Sequence, residues 1–298
     1  MTDHHNIAAV AAHRLPRVRR VVPRDLWDAL AKGVDDFKAM PTHAVFLCVI
    51  YPIAGLVIAR AALGYNVLPL IYPLAAGFAL VGPLAAIGVY ELSRRREQGL
   101  DFDWSHAFDL LHAASFRAIL ALALFLLALF GLWIGAAHAI YVFYFGYAEP
   151  ASMESFVRDV LTTEAGHGLI VTGNLVGFLF ALGAFVVSVV SFPLLIDRNI
   201  SATAAAATSI KVVLRNPLTM ALWGLTVACM LLVASLPLFV GLAVAIPVLG
   251  HATWHLYRKA VVADLPPREP HEYERKGRRY AADFPAALFP VFEKDVRN

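Results

Sequence analysis

The chain is short of the residues from which catalytic and metal sites are usually assembled: of its 298 residues 16% are charged and two are cysteine. Cys48 and Cys229 each stand in an apolar run with no second cysteine or histidine at ligand spacing, so no disulfide or metal framework is expected and both read as small buried hydrophobes. A phosphate-binding GxxxxGK[ST] loop, a CxxC pair and an HExxH helix are all missing, and His271-Glu272 lacks the second histidine. ATP-driven transport by this chain alone is thereby excluded, and no nucleophile stands beside a base. The expectation is a protein that is not an enzyme and uses no catalytic residue, no cofactor and no metal. With no folded domain to support its basic tail, no nucleic-acid partner is expected either.

What is abundant is oil. Hydrophobic residues make up 59% of the chain and the mean hydropathy is +0.66, well outside the soluble range. A helix needs roughly 20 apolar residues to cross a hydrocarbon core about 30 Å thick. Six such runs occur: His43 to Leu63, Val67 to Tyr90, Ala118 to Phe145, Gly168 to Ile196, Leu218 to Leu236 and Leu238 to Val261, the last two separated by a break at Ser235, Leu236 and Pro237. The predicted fold is all-α, a polytopic membrane bundle of six transmembrane helices. Residues 1–42 form a cytoplasmic N-terminal segment, 43–262 the membrane domain and 263–298 a cytoplasmic tail, whose Arg275, Lys276, Arg278 and Arg279 suit anionic lipid.

Charge sets the orientation. Of the 25 Lys and Arg residues, 23 fall in the two ends or in the Glu91 to Arg117 and Pro193 to Pro217 loops, leaving only Arg60 and Arg158. Positive residues stay in the cytoplasm, so both termini are expected inside a bacterial cytoplasmic membrane. The opposite face carries a loop, Gly146 to His167, with Glu149, Glu154, Asp159 and Glu164. Tyr141, Phe143, Tyr144, Phe145 and Tyr147 at the outer end of the third run, and Trp254 and Tyr257 at the inner end of the sixth, read as interfacial aromatic belts.

A threefold pattern underlies these runs. From Asp25, the apolar Leu26, Trp27, Leu30, Val34 and Phe37 oppose Asp28, Lys32, Asp35, Asp36 and Lys38; a similar amphipathic segment starts at Asp103 and an Ala-rich one at Ser201. Asp25, Asp103 and Ser201 are candidate N-caps. Trp27 precedes Pro41, Trp104 precedes Ala118 and Thr203 precedes Pro217 by fourteen residues each; Pro83 precedes Arg94 and Pro247 precedes Arg258 by eleven. The pattern describes three parallel repeats, each an interfacial amphipathic helix followed by a transmembrane hairpin.

Within the runs, His251 and His255 share a helix face, Glu91 matches His255 when Pro83 and Pro247 are aligned, and Asp197 adjoins Arg198. Glu91, Asp197, His251 and His255 are the candidate polar site, read either as a proton or ion site at the inner mouth or as groups satisfied by water and headgroups. Gly131-xxx-Gly135 and Gly173-xxx-Gly177 offer a close crossing of the third and fourth runs.

The stretch from Tyr72-Pro-Leu-Ala-Ala-Gly-Phe through Gly82-Pro83 to Tyr90-Glu91-Leu92-Ser93-Arg94-Arg95-Arg96-Glu97, the segment Phe192 to Arg198, and Leu249 to Lys259 resemble the integral membrane family catalogued as domain of unknown function 2189, over about Val21 to Val262. The resemblance implies a polytopic membrane protein and supplies no catalytic residue. Some members carry the label cytochrome c oxidase subunit I. That chemistry needs six intramembrane histidines for two haems and a copper, whereas only His138, His251 and His255 lie at membrane depth here. The functional expectation is a structural, lipid-organising or partner-binding component, in contact with the lipid bilayer and with a membrane protein or a second copy of itself. The alternative is a small secondary transporter or channel with a polar site near the cytoplasmic mouth.

Overall fold

The computed structural model describes residues 15–40, 68–78, 82–100, 115–147, 150–237 and 240–262. The first predicted run, the amphipathic segment from Asp103, Cys48 and the C-terminal tail lie outside them. The described elements are α1 (Pro23–Ala39), α2 (Ile71–Phe78), α3 (Gly82–Ala85), α4 (Ile87–Glu97), α5 (Phe116–Phe145), α6 (Met153–Thr162), α7 (Glu164–Ser188), α8 (Ser191–Asp197), α9 (Ala202–Arg215), α10 (Pro217–Ser235) and α11 (Leu242–Ala260). Among the described residues three stretches are long and apolar enough to cross a membrane: α5, α7 continuing into α8, and α10.

Within the second predicted run the described residues hold a 3-10 turn at Leu68–Leu70 followed by α2, α3 and α4. Pro69, Pro73 and Pro83 each withhold a backbone N–H and favour helix starts over helix interiors. Pro193 stands in the first turn of α8, just after the break that separates it from α7 at Val189 and Val190. The sixth run forms α11, but His251, His255, Arg258 and Lys259 make it too polar to count among the lipid-crossing stretches. The expected break between the fifth and sixth runs is present, α10 ending at Ser235 and α11 starting at Leu242.

Helix α1 forms as expected but is turned about its axis. Its buried stripe is Leu26, Ala29, Gly33 and Asp36, while Trp27 is 71% exposed. Small residues at positions 29 and 33 let its backbone approach α11, and a Cβ on Gly33 would lie 2.7 Å from the Ala252 nitrogen and 2.8 Å from the Val248 carbonyl oxygen. Pro23 opens the helix after Val22, and Asp25, the expected N-cap, sits one turn in and accepts a hydrogen bond from the Val22 N–H at 3.0 Å. Ser201 does cap α9, accepting from the Ala204 N–H at 3.2 Å. Helix α1 packs on α11, and α9 packs on α7 and α8.

An extended N-terminal segment closes this end. The Arg19 N–H donates to the Ala260 carbonyl, the Val262 N–H to Arg17, and the Val21 N–H to Oδ1 of Asn216, each at 2.8 Å, while Thr219 Oγ1 donates to the Val21 carbonyl at 3.0 Å. Burial follows the same gradient. All seven residues of α8 are buried, whereas α5 and α10 leave most of their surface uncovered, as helices solvated by lipid can.

The expected outer loop contains a helix, α6, whose Ser152 cap accepts from the Ser155 N–H at 3.1 Å. Its Phe156 meets the rings of Tyr141 and Phe145, so these two belong to a packed cluster, while Phe143 and Tyr147 stay exposed as a belt requires. Cys229 is exposed on α10, contrary to the expected burial. Of the glycine pairs only Gly177 meets a neighbour across the helices, the Trp133 ring; a Cβ on Gly131, Gly135 or Gly173 would meet open space.

Gly33→Val is expected to destabilise the purified protein by about 1–3 kcal/mol, because the new methyl groups meet backbone that cannot step aside. Gly131→Ala, facing open space, is expected to change stability by no more than about 1 kcal/mol. Unfolding in mixed detergent micelles measures both.

Candidate functional site

The polar residues of the basic end lie at the junction of α1, α4, α8 and α11. A charge removed from water there costs several kcal/mol unless it is paired and its hydrogen-bonding atoms are filled. The side chains meet that condition in two sets.

The first set centres on Asp36 of α1. Its Oδ2 accepts from Ser93 Oγ of α4 at 2.9 Å and from His255 Nε2 of α11 at 2.9 Å, and its Oδ1 is bound by Arg96. Ser93 Oγ also lies 2.6 Å from Nδ1 of His251. With the hydroxyl proton directed to Asp36, the serine oxygen receives the Nδ1 proton of His251. His251 is then the Nδ1–H tautomer, and its buried Nε2 has no partner among the described residues. Burial pushes the Asp36 carboxyl up, but the hydrogen bond from His255, that from Ser93 and the nearby imidazoles outweigh it and hold the group below the usual carboxylate range.

The second set joins α4, α8 and α11. Arg94 grips Glu91 through two bonds, Nε at 2.8 Å and Nη2 at 2.7 Å, and Arg95 Nε adds a third at 3.2 Å. Glu91 is 1% exposed and Arg94 4%. Burial works against the Arg94 charge, yet Glu91 and the field of Asp197 raise its pKa further. Asp197 Oδ2 accepts from Tyr257 OH at 2.6 Å, Arg198 Nε at 2.9 Å and Arg258 Nη1 at 3.2 Å. Glu97 then ties Arg258 Nε at 3.0 Å to Trp254 Nε1 at 2.9 Å. Trp254 and Tyr257 are thus buried clasp members, where an interfacial belt was expected.

A third, more exposed group links α1 to α11 again. Lys259 Nζ reaches Asp25 at 3.0 Å and Asp28 at 2.9 Å, and both carboxyls are held below their usual range, Asp25 mainly by the Val22 N–H and Asp28 by the two lysines that bond it.

The four residues singled out from sequence therefore divide. Glu91 and Asp197 belong to the arginine-rich set, and His251 and His255 converge on Asp36. All but His255 are buried, and apart from Nε2 of His251 protein groups satisfy them where water or headgroups were the alternative. Sequence reasoning missed Asp36, Ser93 and Arg96, and took Asp36 for the polar face of its helix. The usable signal was the spacing of Ala29, Gly33 and Asp36, four and three apart, which puts the carboxylate on the same stripe as the helix's one glycine and an alanine. Among the described residues no group of three or more His, Cys, Asp or Glu side chains could hold a metal ion.

This junction, with an apolar bundle above it, is the setting for the family comparison. Residues 71–197 match the model of DUF2189, a predicted integral membrane protein. No curated protein and no solved structure matches the chain. The DUF2189 match runs from α2 to α8, a shorter span than the resemblance traced by eye. It takes in Glu91, Arg94 and Asp197 but neither Asp36 nor the two histidines of α11.

Glu91→Ala strands a buried guanidinium and is expected to cost about 3–5 kcal/mol, against about 0.5 kcal/mol or less for Arg158→Ala, which breaks an exposed pair. Replacing Glu91 and Arg94 together by Leu is expected to recover most of that loss. Unfolding by graded denaturing detergent reads all three.

Proposed function

We propose that this chain is a noncatalytic scaffold of the bacterial cytoplasmic membrane, with its basic end and both termini inside, acting as a structural, lipid-organising or partner-binding component. The observation that carries the reading is the state of the polar residues at the basic end. Their charges are paired with one another between helices in a clasp, where a transport route would need them to face water.

The same reading takes the membrane domain as six spans in three parallel repeats. Two features support it. Helix α1, of the first unit, packs on α11, which closes the third unit, and α9, of the third, packs on α7 and α8, which close the second. Both described amphipathic helices thus lie on the second span of the preceding unit, as a ring of three equivalent units requires. The N-terminal strand, bonded to Asn216 and Ala260, completes the link between the first and last units.

One atom favours the second reading, a small transporter or channel: Nε2 of His251, buried with no partner among the described residues. A single experiment separates the two. With Cys48 and Cys229 replaced by Ala, Ser93→Cys is treated with a membrane-impermeant thiol reagent in whole cells and in opened vesicles. The scaffold reading expects protection from both sides, with Arg158→Cys labelled from outside and Arg215→Cys only after opening. Labelling of Ser93→Cys in native membranes would favour an aqueous route, and exchanged sidedness of the two arginine positions would reverse the orientation.

A further inference from the structure

Helix α9 is inside out by the standards of a soluble protein. It buries Ala204, Ala205, Thr208, Ser209 and Val212 and exposes Ile210, Lys211, Leu214 and Arg215. Leu214 is 74% exposed, and Leu218, in the first turn of the membrane-crossing α10, is 85% exposed. The N-terminal strand lies beside them. Asn216 fixes Val21 and Arg19 through backbone bonds at 2.8 and 3.2 Å, and Thr219 holds Val21 at 3.0 Å. Val21 is buried there, while Arg19, Arg20 and Val22 are exposed.

The outcome is a surface in two tiers where the chain enters the membrane: the cations Arg19, Arg20 and Arg215 around the apolar Val22, Leu214 and Leu218. Among the described residues the ion pairs of this end employ other cations, and Asp25 and Asp28 of α1 are already bound to Lys259. Guanidinium groups pair with phosphate through parallel N–H bonds, and exposed leucines on the first turn of a spanning helix face acyl chain. A soluble acidic protein would satisfy the cations but could not reach Leu218 within the bilayer. We infer that this surface is a binding site for an anionic phospholipid of the leaflet at the basic end, its phosphodiester held by Arg20 and Arg215 and its acyl chain laid on Leu214 and Leu218. The inference rests on the scaffold reading and gives its lipid-organising role a lipid class.

The full-length chain, purified in mild detergent, is titrated with phosphatidylglycerol or phosphatidylcholine of matched acyl chains, and retained lipid is counted by native mass spectrometry. Wild type is expected to hold phosphatidylglycerol on the order of tenfold more tightly, each cation near an anionic lipid adding to the preference. Arg19→Gln, Arg20→Gln and Arg215→Gln together are expected to abolish the preference, exposed Arg20→Gln alone to reduce it, and Arg158→Gln at the opposite end to leave it intact. Equal retention of the two lipids, survival of the preference in the triple variant, or displacement of phosphatidylglycerol by millimolar inorganic phosphate would overturn the site. Protection of Ser93→Cys in the same preparation reports the scaffold reading separately, so loss of lipid preference with protection retained removes the lipid site alone.

Discussion

A carboxylate and a guanidinium hidden from water between helices are tolerable only as a pair. Glu91 and Arg94 sit one turn apart on α4 and meet in a two-bond grip, and most of the basic end is arranged so that every similar charge finds the same treatment. Such a pair is weak evidence for added stability, since apolar residues of like size do as well. Its force lies in what it forbids. A register or packing that separated Asp36 from Ser93 and His255, or Asp197 from Tyr257 and Arg258, would leave a buried charge alone, so competing arrangements of the helices are penalised more heavily than the native one is rewarded.

This constraint explains why the chain looks like two materials. Away from the basic end, α5 and α10 need little from their neighbours, because hydrocarbon is as good a solvent for leucine as another helix is. At the basic end, α8 is wholly buried, α11 carries a run of polar groups and α1 is pressed against α11 through Gly33. The contacts that matter there join segments far apart in the chain: Asp36 with His255, Val21 with Asn216 and Glu97 with Arg258. Closure of the bundle therefore depends on the first and last segments meeting.

Much of the fold was legible because lipid-facing helices have a simple signature. The apolar runs located α5, α7 with α8, and α10 to within a few residues, and Ser201 announced the start of α9. What hydropathy could not show is which polar residues turn inward. A run-based reading weights Trp27 as the buried anchor of α1 and Asp36 as solvent-facing; the structure reverses both, because close approach to α11 selects the Ala29 and Gly33 stripe over the bulkier one. The 3-10 turn and the short helices α2, α3 and α4 of the second run are not distinguished by a sliding window, and α6 was hidden because a short amphipathic helix raises no hydropathy peak. Of the site, the two histidines and Asp197 were visible as ionisable groups in apolar surroundings. Apart from Arg198, next to Asp197 in sequence, their partners were not, since pairing across 57 to 219 residues leaves no local trace.

The central claim is that the clasp couples the beginning of the chain to its end. A double-mutant cycle on Asp36 and His255, using Asp36→Asn, His255→Asn and the combined variant, tests it most directly, with unfolding free energies measured in mixed micelles. The account expects a coupling energy of about 1 kcal/mol or more, the double variant losing less than the sum of the singles. Strict additivity, with no coupling between these two side chains, would contradict it.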